Sequence, residues 1–165
     1  MNIRPIAESD AEEFLQLRKR LADETSFMLR RSDEITLTIE QQRQQIRQFQ
    51  QGAHLLLIAE HPVDSLIGFL MGVRGEPHRM RHVLTLVIGV LQAYTGRGCG
   101  SHLFAEMEQW SEHSGIHRLD LHVLIHNERA IAFYKKHRFA VEGIMKHSQR
   151  IDGQYYDEYL MAKML

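Results

Sequence analysis

Two stretches of the 165-residue chain carry residue types and spacings that suit chemistry. The first is Val90-Leu-Gln-Ala-Tyr-Thr-Gly-Arg-Gly-Cys-Gly-Ser101, which reads as a strand ending in a glycine-rich loop that opens a helix. Such a loop aims several backbone N–H groups at one spot, and the helix dipole favours negative charge there. The second is Asn127-Glu-Arg-Ala-Ile-Ala-Phe-Tyr-Lys-Lys-His-Arg-Phe139, a helix opened by an asparagine with a tyrosine two turns along it. A cradle for a diphosphate beside a placed phenol suggests a nucleotide-like cofactor and proton transfer.

The loop does not fit two better-known phosphate motifs. A P-loop needs Lys followed by Ser or Thr after its last glycine, and Gly100 is followed by Ser101 with no lysine. A dinucleotide fingerprint needs glycines at its first, third and sixth positions, and Ser101 occupies the sixth. Glycine at Gly96, Gly98 and Gly100 also argues against a merely flexible connection.

The surrounding elements must position these groups. Ile3 to Ile6 reads as a strand. A helix capped by Ser9 or Asp10 follows, with Phe14, Leu15, Leu17 and Leu21 at helical spacing. Residues 22–38 lack a period. A glutamine-rich helix begins at Thr38, with Ile39, Ile46 and Phe49 on one side and Gly52 as its stop. His54 to Glu60 and Leu66 to Val73 form a hairpin around Pro62. Arg81 to Leu91 is apolar on both faces and so is a central strand. Cys99 to Gly115 is a helix with Cys99, Leu103, Phe104, Met107 and Trp110 inward. In the strand Leu119 to Ile125, Asp120, His122 and Leu124 share the face opposite Leu121 and Val123. Ala140 to Arg150 and Tyr155 to Lys163 pair around Asp152-Gly153, a strong hairpin turn. The expected fold is a mixed α/β sandwich with one principal sheet, in one domain spanning 1–165.

Composition narrows the function. The net charge of −1 and the dispersed basic residues give no electrostatic case for nucleic acid or an anionic membrane. No apolar run approaches the ~18 residues of a membrane span. The N-terminus carries no signal-peptide pattern, and Cys99 is the one cysteine, which fits a reducing compartment and a cytoplasmic location. The eleven histidines are scattered. His113 with His117 and His122 with His126 have zinc-like spacing, but no Cys-x-x-Cys or His-Glu-x-x-His accompanies them, so no metal is expected.

With both stretches in view, the sequence resembles the GNAT family of N-acetyltransferases. That family's cofactor motif, Arg or Gln then x-x-Gly-x-Gly/Ala, corresponds to Thr95-Gly-Arg-Gly98-Cys-Gly100. Its second motif corresponds to Asn127, Ala130, Phe133, Tyr134, Lys136, Arg138 and Phe139. The order of elements agrees from Ile3 to the C-terminus. The resemblance implies the acyl-CoA N-acyltransferase fold: a mostly antiparallel sheet with a splayed central strand pair, flanked by helices. Two positions depart from the pattern. Thr95 stands where Arg or Gln is usual, a place that contributes chiefly its N–H. Arg138 replaces a glycine, which costs on the order of 1 kcal/mol if that position needs positive φ.

The resemblance further implies acetyl transfer from acetyl-CoA to a primary amine of a small metabolite or a peptide N-terminus. The amides of Thr95, Gly96, Arg97, Gly98, Cys99, Gly100 and Ser101 would hold the pyrophosphate. Ile88, Gly89 and Val90 would pair with pantetheine, and Val90 would donate to the oxyanion. Asn127, Phe133 and Lys136 complete the cofactor side. Tyr134 is the general acid, a phenol suited to protonating a thiolate. His122 stands five residues before Asn127, where ribosomal-protein N-terminal acetyltransferases carry a glutamate base; an imidazole or a relayed water fills that role here. On the acceptor side, Asp23 and Glu24 would attract a cationic amine, Phe27 and Met28 would line an apolar pocket, and the hairpin residues Tyr155, Tyr156, Asp157 and Glu158 would form the opposite wall. The acceptor stays open among an amino acid, a polyamine, an aminoglycoside and a protein N-terminus. The family's habit of pairing through sheets or last strands implies a homodimer. The alternative class is an acyl-CoA-binding sensor that kept the cradle and lost turnover.

Overall fold

A computed structural model describes residues 1–51 and 53–165; the helix stop expected at Gly52 lies outside the described residues. The elements follow the expected order: β1 (Asn2–Pro5), α1 (Ala11–Glu24), α2 (Ile39–Gln51), β2 (Leu55–His61), β3 (Ser65–Arg74), β4 (Val83–Val90), α3 (Cys99–His113), β5 (Arg118–Leu124), α4 (Glu128–Lys136), β6 (Ala140–Ile151) and β7 (Gln154–Met164). The strands form one seven-stranded sheet in the order β1-β2-β3-β4-β5-β7-β6. Every pairing is antiparallel except β4 with β5. No helix is long and apolar enough to cross a membrane among the described residues.

The helices cover both faces because strand side chains alternate. On β3, Phe69 meets Phe14 of α1 edge-on, with ring centroids 5.4 Å apart. Its neighbour Gly68 turns to the other face, where a Cβ would lie 3.4 Å from the Cys99 sulfur of α3. α4 joins α3 there through Phe104, whose ring lies 5.0 Å from Phe133. The sequence places most of the core correctly: Phe14, Leu15, Leu17 and Leu21 of α1 and Leu103, Phe104 and Met107 of α3 are all buried. Trp110 is only half-buried.

The helix starts differ in detail from expectation. Asp10 stands at the N-cap of α1, but its carboxylate accepts from Arg4 and from the Ala7 N–H instead of capping the helix. α1 also runs on to Glu24, into the stretch without a period. Thr38 caps α2 reciprocally with Gln41: each side chain bonds the other's backbone N–H, at 3.2 and 2.8 Å. On α2 Ile39 is exposed, and Gln42 is buried in its stead, with its side-chain oxygen accepting from Arg18 at 3.0 Å. At the hairpin, Asp152 and Gly153 both take positive φ, 49° and 83°, the left-handed pair that a two-residue turn demands.

Candidate active site

The site begins at the one parallel seam. β4 and β5 pair only over Val83–Arg118, Leu84–Leu119 and Thr85–Asp120, yet the strands continue to Val90 and Leu124. The seam is pinned where Thr85 Oγ1 donates to Asp120 Oδ1 at 2.7 Å. Beyond it the strands part around a cleft of about 900 Å³. The Leu91 N–H donates to the Ile67 carbonyl on β3 at 2.9 Å. Strand amides alternate in direction, so those of Ile88 and Val90 turn away from β3 and into the gap. Gly89 is buried for packing: a Cβ there would sit 2.8 Å from Leu21 and 2.9 Å from the Phe69 ring.

The glycine loop closes one end of the cleft. Gln92–Tyr94 is a 3-10 turn, and Thr95 Oγ1 donates to the Gln92 carbonyl at 2.6 Å. Gly96 and Gly98 follow at φ 74° and 87°, where a side chain would be strained. Gly98 is the N-cap of α3, so the first-turn N–H groups of that helix are free to meet an anion. A Cβ on Gly100 would lie 3.0 Å from the Phe133 ring, so this glycine lets α3 approach α4. Ser101 Oγ and His137 Nε2, 3.2 Å apart, tie the loop to the end of α4. Burial, the largest influence, holds the His137 pKa below its ordinary value. The features that would hold an acyl-CoA diphosphate are therefore present. Two residues of the motif point elsewhere: Arg97 lies over the Tyr94 ring, and the Cys99 thiol is buried in the core and pushed up to about 11 by desolvation. Only backbone groups of Cys99 are available to a ligand.

α4 supplies the phenol. Asn127 Oδ1 accepts the Ala130 N–H at 3.2 Å, which caps the helix. Tyr134 lines the cleft while 8% exposed, and burial pushes its phenol up to about 12. Phe133, Lys136, Asn127 and His122 line the same cleft. Because Thr85 bonds Asp120 across the seam, Thr85 and Gly89 of β4 share a face with Asp120, His122 and Leu124 of β5. That is the face on which Leu21 of α1 packs. The cleft thus passes between the strands, with the phenol helix on one side of the sheet and His122 toward the other.

The acceptor side brings corrections. Phe27, Met28 and Leu29 line the cleft as an apolar wall. Glu24 lines it too, but its Oε2 accepts the Gln92 N–H at 2.8 Å, so the carboxylate anchors the glycine loop to the end of α1. Asp23 accepts from Ser32 and lies off the cleft. Tyr155 does not reach it either: the residue is 59% exposed and stacks on His147, with ring centroids 5.2 Å apart. Its neighbour Tyr156 instead packs on His126, which in turn meets Phe27.

Glu158 is the acid of that hairpin that lines the cleft, and the sequence gives no warning of how it is held. Met145 pairs with Glu158 and Gln149 with Tyr156, so Lys146, His147 and Ser148 together face Asp157 alone. This bulge puts His147 at φ 52° and is fastened by Asp157, which accepts from the His147 N–H at 2.9 Å and Lys146 Nζ at 2.7 Å. It re-aims Ser148 and Gln149 into the cleft, and Gln149 Nε2 donates to Glu158 Oε1 at 2.8 Å. Arg129, at an unspecified position between Asn127 and Ala130 of the motif, also lines the cleft, and nothing in the motif singles it out.

Comparisons with known proteins agree with this geometry. A solved acetyltransferase of the GNAT family from Streptococcus pneumoniae superimposes with a TM-score of 0.93, at 30% identity over 99% of both chains. The yncA acetyltransferase structure from Salmonella typhimurium, which holds its cofactor acetyl-CoA, shares the fold with a TM-score of 0.86 at 16% identity, over 99% of this chain and 92% of that one. In sequence, the chain is 35% identical over 101 residues to the L-amino acid N-acetyltransferase AaaT of Escherichia coli (strain K12), a match spanning 60% of this chain and 62% of that protein. The sequence profile of the Acetyltransferase (GNAT) family matches residues 13–139. The chain belongs to the acetyltransferase (GNAT) family.

Proposed function

We propose that the chain is an acetyl-CoA-dependent N-acetyltransferase that acetylates a primary amine of a small metabolite or a peptide N-terminus by direct attack. One observation carries this reading: the sheet parts beyond Thr85, and Ile88, Val90, His122, Tyr134 and, from the glycine loop, Thr95, Gly96, Gly98, Gly100 and Ser101 all border that one gap. The L-amino acid specificity in the name of the Escherichia coli relative supports a small amine as acceptor.

Acetyl-CoA, bound along the gap, supplies the acetyl thioester. The first turn of α3 and the N–H groups of Gly96 to Ser101 hold its diphosphate. Val90 donates its N–H to the acetyl oxygen, where negative charge builds as the new C–N bond forms and is discharged when the C–S bond breaks. His122 takes, directly or through a water, the proton that the acceptor's ammonium must lose before its nitrogen can attack. Tyr134 gives its phenolic proton to the departing sulfur, and the second proton shed by the newly acetylated nitrogen restores the phenol. A phenol is protonated at neutral pH, as a general acid must be at the start, and burial raises its pKa further.

The test is coenzyme A release from acetyl-CoA against free amino acids, polyamines, aminoglycosides and short peptides, with wild type and Tyr134→Phe side by side. The expected outcome is turnover on one amine class, a fall of about 10²-fold in kcat for Tyr134→Phe, and unchanged acetyl-CoA affinity. An unaffected kcat would remove Tyr134 from the chemistry. Acetyl-CoA binding without turnover on any amine would favour a sensor.

A further inference from the structure

We infer that Glu158 determines acceptor specificity: its carboxylate is the counter-charge that holds the acceptor's primary ammonium, with the acceptor's apolar substituent against Phe27, Met28 and Leu29. The inference rests on the acetyl-transfer reading above and names the acceptor chemistry of that same cleft. Four observations converge on it. Glu158 is 8% exposed and borders the cleft. Its side-chain bond among the described residues comes from the neutral Gln149 amide, whereas the adjacent Asp157 is matched by Lys146 at 2.7 Å. A carboxylate offers about four acceptor positions, and one kept from bulk water favours a cationic donor for those left over.

Placement is the third observation. Glu158 pairs with Leu124 across β5 and β7, and His122 pairs with Leu160. Glu158 and His122 are therefore diagonal neighbours on one face, roughly 7–8 Å apart by the general spacing of such pairs. An ammonium held by Glu158 lies beside the group proposed to take its proton. The other cleft-lining carboxylate, Glu24, is exposed, so water competes for the acceptor positions that its bond from the Gln92 N–H leaves open.

The fourth is the bulge in β6. It places Gln149 at Glu158 and is itself clamped by Asp157, so the carboxylate is fixed in direction by a rigid element and not by a loop. The apolar wall of Phe27, Met28 and Leu29 then selects a head-and-tail acceptor: one ammonium next to an aliphatic or aromatic group, not a polycation. A merely structural Glu158, tying β6 to β7 through Gln149, would affect melting and leave acceptor kinetics alone.

The experiment uses the full chain with L-methionine, phenethylamine, methionylalanine and spermidine as probes. Coenzyme A release gives KM for each amine and for acetyl-CoA, and thermal shift of the coenzyme A-saturated protein reports amine binding without turnover. Glu158→Gln should raise the KM of the apolar amines at least ~30-fold, abolish their thermal shift, and leave the acetyl-CoA KM and the melting temperature of the free protein in place. Gln149→Met keeps the carboxylate but frees its direction, and should raise amine KM about threefold to tenfold; it carries the test should Glu158→Gln fold poorly. Unchanged amine KM and binding in these variants, with an active wild type, would overturn the inference and leave the acetyl-transfer reading standing. A fall in kcat alone would also overturn it, by moving Glu158 into the chemistry. Spermidine as the preferred acceptor would overturn the apolar-substituent part. A wild type that neither binds nor acetylates any probe would overturn both readings.

Discussion

Arg138 shows how one side chain can keep a backbone geometry it does not favour. α4 ends in a Schellman motif: the Arg138 N–H donates to the Lys135 carbonyl and the Phe139 N–H to the Tyr134 carbonyl, both at 3.0 Å. The motif requires a left-handed residue at position 138, and Arg138 has φ 68°. The sequence expectation that arginine replaces a glycine there, at a cost, is met. Phe139 closes the motif by packing on Tyr134, with ring centroids 6.0 Å apart, so the strained turn also holds the phenol's helix in place. Arg138→Gly should relieve about 1–2 kcal/mol of strain and lose part of it to the freer unfolded chain, for a net gain of about 0.5–1 kcal/mol. Urea unfolding would measure it as a higher midpoint at unchanged slope; a lower midpoint would mean that the arginine makes a compensating contact.

At the level of elements, what was legible followed from periodicity and punctuation. The order of strands and helices, the core faces of α1 and α3, and the Asp152-Gly153 turn rest on residue types whose local physics is unambiguous. The glycine loop was legible too, and the family likeness read from it and from the α4 motif is borne out by the profile match. The β6 bulge was not, because His147 takes φ 52° without the Gly or Asn that would signal it; Asp157, across the strand, holds it there. Tyr155 was misplaced for a related reason, and Glu24, which does line the cleft, has one oxygen engaged there by the Gln92 N–H. A charged or aromatic residue near a site reads as a ligand contact until the structure shows a backbone N–H or a neighbouring ring already using it. The meeting of α3 with α4 carries the sharpest prediction at this scale. Gly100→Val would drive a branched side chain into the Phe133 ring, which already lies 3.0 Å from where its Cβ would stand, and prise the two helices apart. Acetyl-CoA affinity, followed by isothermal titration, should fall about tenfold with the acceptor KM unaffected, because the displaced first turn is the one proposed to hold the diphosphate and not the amine. An unchanged affinity would place the diphosphate away from α3.

Across the whole molecule, the sheet behaves as two halves, β1 to β4 and β5 with β7 and β6, joined at a three-pair seam. Each half is fastened by arginine–carboxylate pairs. In the first, Arg4 bonds Asp10 at 2.7 and 2.9 Å and Glu60 at 2.6 Å, linking β1, the start of α1 and β2. In the second, Arg118 bonds Glu142 at 2.8 and 2.5 Å. The guanidinium partner is the leading cause in each case and holds Asp10, Glu60 and Glu142 below the ordinary carboxylate range. A carboxylate depressed in the folded state stabilises fully above its unfolded pKa, about 3.9 for Asp and 4.3 for Glu, and loses that contribution as pH falls through the folded value. The exposed Glu142 adds little, because water screens it. Asp10 matters most: its side chain is 10% exposed and it also accepts the Ala7 N–H at 2.7 Å. Asp10→Asn should therefore cost ~2 kcal/mol at pH 7. The difference from wild type should begin to shrink once pH drops below about 4, where the unfolded aspartate takes up its proton, and should close only as pH falls through the lower folded value, where the native aspartate is protonated as well. Paired melting curves from pH 7 to pH 2 would show the two traces converging at the acid end. Traces that stay parallel would mean that Asp10 holds the first half of the sheet together by shape and hydrogen bonding alone, with no share from its charge.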